Sequence, residues 1–248
     1  MRRMKKSLSK KVYVLPFLVL TSLLSLNVSS IGKNHTGLVA NTVVTSETVT
    51  AAMRYDSLGL ADAGLSKAAF ERAMSGYDKL VSEGKIKREN IISIIDFSLP
   101  STSKRLFVID LEQGKVLYNT LVSHGRNSGK DMATSFSNRP ESFKSSLGFY
   151  VTGETYQGAH GYSMRLQGTE LGINDKAMER GIVMHAADYV NDKLGKAQGY
   201  IGRSLGCPAV PVNMHKKIIG SIRNGTCLFI YSPDRGYLAS SRMGHAAV

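Results

Sequence analysis

The sequence predicts a mainly β domain preceded by a short helical segment. From about Ile91 onward the chain is crowded with β-branched or alternating apolar runs, and Gly, Asn and Pro punctuate them. Before them stands one clear amphipathic helical pattern. Several short strands at this spacing imply a sandwich or barrel.

The elements follow in order. Residues 1–30 begin with "MRRMKKSLSKK", basic and without an acid, and continue into an apolar run relieved by small residues. This is the order of an export signal, with Val28 and Ser30 offering the small residues a signal peptidase reads. The alternative is an uncleaved anchor, because Val12 to Val28 spans 17 residues, at the lower limit for crossing a bilayer. With cleavage the mature chain starts near Ile31, works in the periplasm or cell envelope and has no further membrane contact. The first 30 residues hold six Lys and Arg and no acid, which leaves 26 basic against 19 acidic residues, a net charge of +7 in place of +13. That excess suits an anionic partner, a cell-wall polymer or a membrane surface, and no basic stripe with interleaved aromatics points to nucleic acid.

Residues 31–50 are rich in Thr, Val, Asn and Ser with no helical period and read as a linker. Residues 51–98 form a helical N-terminal segment: "LSKAAFERAMSGYDKLVSEGKI" places Ala69, Phe70, Ala73, Tyr77, Leu80 and Val81 on one face, with Ser66 as N-cap and Gly84 as stop. The strand-like runs are "NIISIIDFSLPS", "KRLFVIDLEQGKVLYNTLVSHG", "SSLGFYVTGETY", "YSMRLQGTE", "GIVMHAADYV" and "GTCLFIYS". The second reads as a hairpin turning at Glu112 to Lys115. Residues 236–248 are left as a C-terminal tail. No internal repeat, nucleotide-binding glycine pattern or metal-ligand spacing is present, so no cofactor or metal is expected.

The chain holds two cysteines. Cys227 lies in the apolar run "TCLFIYS", where a thiol behaves as a small hydrophobe. Cys207 lies in "IGRSLGCPAV", a Gly-Cys-Pro step that reads as a shaped turn presenting its thiol. A single bridge between them remains open. A presented thiol becomes a nucleophile when an imidazole takes its proton. His185, at the end of the strand-like "RGIVM", is the first candidate. His124 and His160, in glycine-rich loops, are runners-up, and His35, His215 and His245 look peripheral.

The order "MHAADYV" then "GRSLGCPAV" resembles the L,D-transpeptidase catalytic domain, whose signature is a histidine followed, after a gap, by Ser/Thr-His-Gly-Cys. His185 and Ser204-Leu205-Gly206-Cys207 stand in those places. "FSNRP" and "SSLG" add to the likeness, which runs from about Leu99 to Ser232 and is closest to murein L,D-transpeptidase catalytic domain family proteins. The chain departs from the signature at Leu205 for histidine, Ala186 for glycine or serine, and Pro208-Ala209 where an apolar residue and an arginine are usual.

The resemblance implies an L,D-transpeptidase-like β-sandwich over residues 99–235 that cross-links peptidoglycan stem peptides through a Cys207 thioester and is acylated by carbapenem-type inhibitors. L,D-carboxypeptidase or endopeptidase chemistry needs the same pair, and a catalytically inactive wall-binding module is the alternative without it. The implied catalytic groups are Cys207, His185, the Ala186 carbonyl that orients the imidazole (Asp188 being the alternative) and Gly206 at the oxyanion turn. Arg203, Ser204, Asn138 and His160 are the implied substrate-binding residues, with Arg203 supplying the cation missing after the cysteine. A thiol so activated titrates below a free one.

Overall fold

The computed structural model describes residues 46–243. The export signal, nearly all of the linker and residues 244–248 of the tail lie outside the described residues. The fold is mainly β, as the strand-like runs lead one to expect.

Two helices come first, α1 (Ser46–Ser57) and α2 (Lys67–Ser82). α1 takes in residues 46–50, read from sequence as the end of the linker. α2 is built as its pattern predicts: Ser66 Oγ accepts the Ala69 N–H at 3.3 Å, and Ala69, Phe70, Ala73, Met74, Tyr77 and Leu80 are buried. The same face carries Gly76, and a Cβ there would fall inside the Phe149 ring, so only glycine lets α2 lie this close to the sheet.

The sheet has eight strands: β1 (Ile91–Asp96), β2 (Leu106–Asp110), β3 (Lys115–Thr120), β4 (Gly148–Gly158), β5 (Gly161–Gly168), β6 (Val183–Ala187), β7 (Ala209–Pro211) and β8 (Cys227–Tyr231). Their order is β3-β2-β1-β8-β4-β5-β6-β7. β2 and β3 are the expected hairpin. β8, last in sequence, lies between β1, to which it is parallel, and β4, to which it is antiparallel. β1, β2 and β8 are buried at every residue, which requires cover on both faces and explains runs without polar alternation. α2 packs on β1 and β8, and of the later helices α3 (Asp192–Gln198) and α4 (His215–Ile222) the latter packs on β1, β5 and β6.

β1 belongs to this sheet although it precedes residue 99, because its register ties Ile92 to Cys227 and Ile94 to Phe229. Phe229 in turn stacks on Phe149 with centroids 4.2 Å apart. Stacked aromatic pairs of this kind are worth about 1 kcal/mol beyond their burial. Among the described residues no helix is long and apolar enough to cross a membrane.

Candidate active site

The far end of the sheet, where β6 meets β7, holds the residues singled out from sequence. The two strands are parallel and pair His185 with Ala209. Carried back two residues, that register sets Cys207 opposite Val183, whose N–H points at Sγ from 3.5 Å. The thiol in turn points at Gly181 O, 3.7 Å away. Both cysteines are free thiols: Cys207 is half-buried, whereas Cys227 is buried within β8. The imidazole therefore sits on β6 and the thiol in the turn just before β7, two residues ahead of the paired register.

His185 is buried, and its Nδ1–H donates to Ala186 O at 2.8 Å, since a carbonyl only accepts. This leaves Nε2 with a free lone pair, the form a general base requires. Burial lowers the His185 pKa, the Ala186 carbonyl opposes that, and neighbouring His160 lowers it further. His160 lies in the turn between β4 and β5, and its ring stacks on His185 with centroids 4.4 Å apart. Burial also raises the Cys207 thiol, against the Val183 N–H and Arg180, which lower it. Both shifts favour the neutral forms, thiol and imidazole. The direction at Cys207 is opposite to the lowered thiol expected from sequence, because desolvation outweighs the groups that favour the anion.

The cysteine turn is held from inside. Gly206 has φ 124°, and a Cβ there would lie 2.8 Å from Lys144 O, so no other residue fits without moving the 144 backbone. Its N–H donates to Ser204 Oγ at 3.1 Å, and that hydroxyl donates to Cys207 O at 2.6 Å. Ser204 thus builds the turn, and the Gly206 N–H is engaged with it. The turn is anchored to the 124–126 segment by Ser204 N–H to His124 O at 3.0 Å and Arg126 N–H to Ser204 O at 2.7 Å. Ser145 Oγ bridges the same elements, accepting from Gly125 N–H and donating to Gly206 O.

The remaining candidates are engaged elsewhere. Arg203 donates through Nη1 to Gly129 O at 2.9 Å and Arg126 O at 3.2 Å, and its guanidinium lies over the Tyr200 ring. Asn138, half-buried, donates to Asp175 Oδ1 at 2.8 Å and accepts the Lys176 N–H, stapling two loops. Asp188 is exposed after β6 and makes no hydrogen bond to His185, whose Nδ1–H is directed at Ala186.

Sequence reasoning missed two arginines. Arg105, fully buried, donates to Val122 O and Leu99 O and places Nη2 2.7 Å from His124 Nδ1. Because a guanidinium only donates, Nδ1 accepts and His124 Nε2–H donates to Gly129 O at 3.2 Å. His124 is therefore a strut under the cysteine turn with no lone pair left to act as a base. Arg180, in the turn before β6, donates to Ser137 O, Ser146 Oγ and Lys144 O. No motif marks either residue, since their partners, four backbone carbonyls and three side chains, lie mostly far away in sequence. Among the described residues no group of three or more His, Cys, Asp or Glu side chains is arranged to hold a metal ion.

The strut carries an acid-sensitivity prediction. Burial, then Arg105, pushes His124 down to about 4 from an ordinary 6.5. Between those values the unfolded chain binds the proton that the folded one refuses, so stability is lost as pH falls through this window. The loss reaches about 3 kcal/mol at the acid end. Denaturant melts at pH 7.5, 5.5 and 4.5 should show it, and His124→Asn should have the flatter profile; equal slopes would remove His124 as the cause.

Comparison with known proteins gives a single family. The family described as L,D-transpeptidase catalytic domain matches residues 61–231. No curated protein matches the chain. Solved structures that it resembles include an L,D-transpeptidase from Mycobacterium smegmatis, at 13% identity and TM-score 0.37, covering 58% of this chain and 59% of that one. The L,D-transpeptidase LdtMt1 in complex with imipenem matches at 14% identity and TM-score 0.36, over 57% of this chain and 59% of that one. The helical cell shape determining protein Pgp2 from Campylobacter jejuni matches at 15% identity and TM-score 0.37, over 58% and 48%. The matches thus span under two thirds of those chains.

Proposed function

From the premise that this chain belongs to the L,D-transpeptidase catalytic domain family, we propose that it is an exported cysteine transpeptidase acting on peptidoglycan stem peptides. The observation that carries this reading is the fixed tautomer of His185, with Nδ1–H spent on Ala186 O and Nε2 left as the base one strand from Cys207.

In the reaction, His185 Nε2 takes the Cys207 proton as the sulfur attacks the carbonyl carbon of an L-to-D peptide bond. The C–N bond breaks, the imidazolium returns its proton to the departing amine, and the terminal D-residue leaves. A thioester on Cys207 remains. An acceptor amine then loses a proton to His185, attacks the thioester carbonyl and releases the thiol, forming the cross-link. The developing oxyanion is assigned to the Cys207 N–H, because the Gly206 N–H is already engaged by Ser204. Because burial favours the neutral form of both groups, proton transfer is coupled to substrate arrival, which also spares the thiol from oxidation.

Catalysis is assigned to residues 99–235, export to residues 1–30, and work in the periplasm or cell envelope follows from that export. The acid-free basic start and apolar run support the export, and intact-mass analysis of the secreted protein tests it: a chain retaining residues 1–30 would replace cleavage with anchoring. Water in place of the acceptor amine makes the same thioester a carboxypeptidase product. Incubating the protein with purified tetrapeptide stems and reading products by mass spectrometry tests the main proposal. Cross-linked dimer is the expected result; shortened monomer alone would make the protein a carboxypeptidase, and unchanged stems would overturn the enzymatic reading.

A further inference from the structure

Arg203, the cation expected from sequence near Cys207, is turned toward the 126–129 backbone. A different cation stands beside the cysteine turn. Arg180 immediately precedes Gly181, whose carbonyl the Cys207 thiol points at. A Cβ on Gly206 would lie 3.3 Å from Arg180 Nη2 and 2.8 Å from Lys144 O, the carbonyl to which Nη2 donates at 2.6 Å. Guanidinium, Lys144 carbonyl and cysteine turn are thus packed into one contact.

Arg180 is also uncommitted as a charge. It donates to Ser137 O at 2.8 Å, to Ser146 Oγ, to Ser142 Oγ at 3.4 Å and to Lys144 O, all neutral oxygens. Among the described residues it makes no ion pair with a carboxylate. Four neutral anchors hold the fork in place without cancelling its charge. The other titratable groups near Cys207 are His185, backed by His160, and Tyr189; none of them carries a permanent positive charge. Lys144 directs Nζ to Ser135 Oγ at 2.7 Å.

We propose that Arg180 is the positioning residue that poises Cys207: its fixed guanidinium sets the electrostatic potential at the sulfur and favours the thiolate. Cys207 and Arg180 each act on the other's titration in the direction this requires. The inference rests on the reading of Cys207 as the reactive thiol. It assigns Arg180 no contact with substrate, since its Nη donors are directed at the protein's own oxygens.

The test is the pH dependence of Cys207 alkylation by iodoacetamide, followed by mass spectrometry on the full-length protein without substrate. Cys227, buried in β8, should stay unlabelled and report that the fold is intact. Arg180→Gln should move the midpoint of the rate profile upward by about one pH unit, the usual effect of losing a neighbouring opposite charge. Arg180→Lys, which keeps the charge with a different anchor geometry, should recover at least half of that shift. A merely structural role would lower thermal stability in both variants and leave the midpoint alone. If Arg180→Gln does not fold, Arg180→Met, neutral and of similar length, decides: a midpoint raised by about one pH unit supports the proposal, and an unshifted one overturns it. An unshifted midpoint in folded Arg180→Gln overturns it as well. Failure of wild-type Cys207 to react at any pH would instead remove the nucleophile reading beneath it, and this inference with it.

Discussion

Cys207→Ser should lower acyl transfer by about a thousandfold or more while the fold persists. The hydroxyl that replaces the thiol is far less acidic, so His185 cannot generate the nucleophile at neutral pH. The exchange hardly alters volume, and the turn is held by Ser204, Gly206 and Ser145 independently of Sγ. Cys227→Ser should behave in the opposite way. Its side chain is fully buried in β8 between β1 and β4, and an unpaired hydroxyl there costs about 1–3 kcal/mol with little change in rate. Circular-dichroism melts and turnover measured on both variants check the pair. A dead Cys227→Ser with an active Cys207→Ser would reverse the assignment.

His185→Ala should slow acylation of Cys207 by a carbapenem about a hundredfold or more, the usual worth of a positioned general base. The adduct should map to the peptide spanning Ser204 to Lys216. His160→Ala is the comparison, because it removes the ring stacked on His185 without touching the Nδ1 hydrogen bond to Ala186. Such a stack is worth about 1 kcal/mol, less than tenfold in rate. Equal acylation rates for His185→Ala and wild type would take His185 out of the mechanism and put His160 forward. His124→Ala is a poor control, since it removes the acceptor that engages buried Arg105 under the cysteine turn.

The parts that were legible in sequence are those whose signal is local. Strands β1, β2, β4, β5, β6 and β8 announced themselves as β-branched runs, and α2 through its period and the Ser66 cap. β7 is three residues long and paired only at an edge, too short to show a period, and α4 spans eight. Cys207 and His185 could be linked from sequence only through motif order, because the strand register that joins them is a tertiary fact. Polar residues were the harder class. Ser204, Asn138 and Arg203 carry the chemistry of ligands, yet hydrogen bonds to nearby loops occupy them, and nothing in their spacing reveals those partners. Arg105 and Arg180 were invisible for the converse reason: a lone arginine reads as surface charge until the fold wraps carbonyls around it.

The late insertion of β8 between β1 and β4 bears on how the chain matures. Until residues 227–231 are delivered, β1–β3 and β4–β7 are two separate half-sheets, each with an apolar strand edge unpaired. The last strand must bridge partners far upstream, Ile92 for one and Val151 for the other, so loop closure precedes the reward of pairing and makes refolding slow. A nascent chain therefore passes through a sticky intermediate whose half-sheets are quenched only by its final strand. Refolding yield should fall steeply with protein concentration, and truncation after Asn224 should give aggregate in place of a smaller soluble domain.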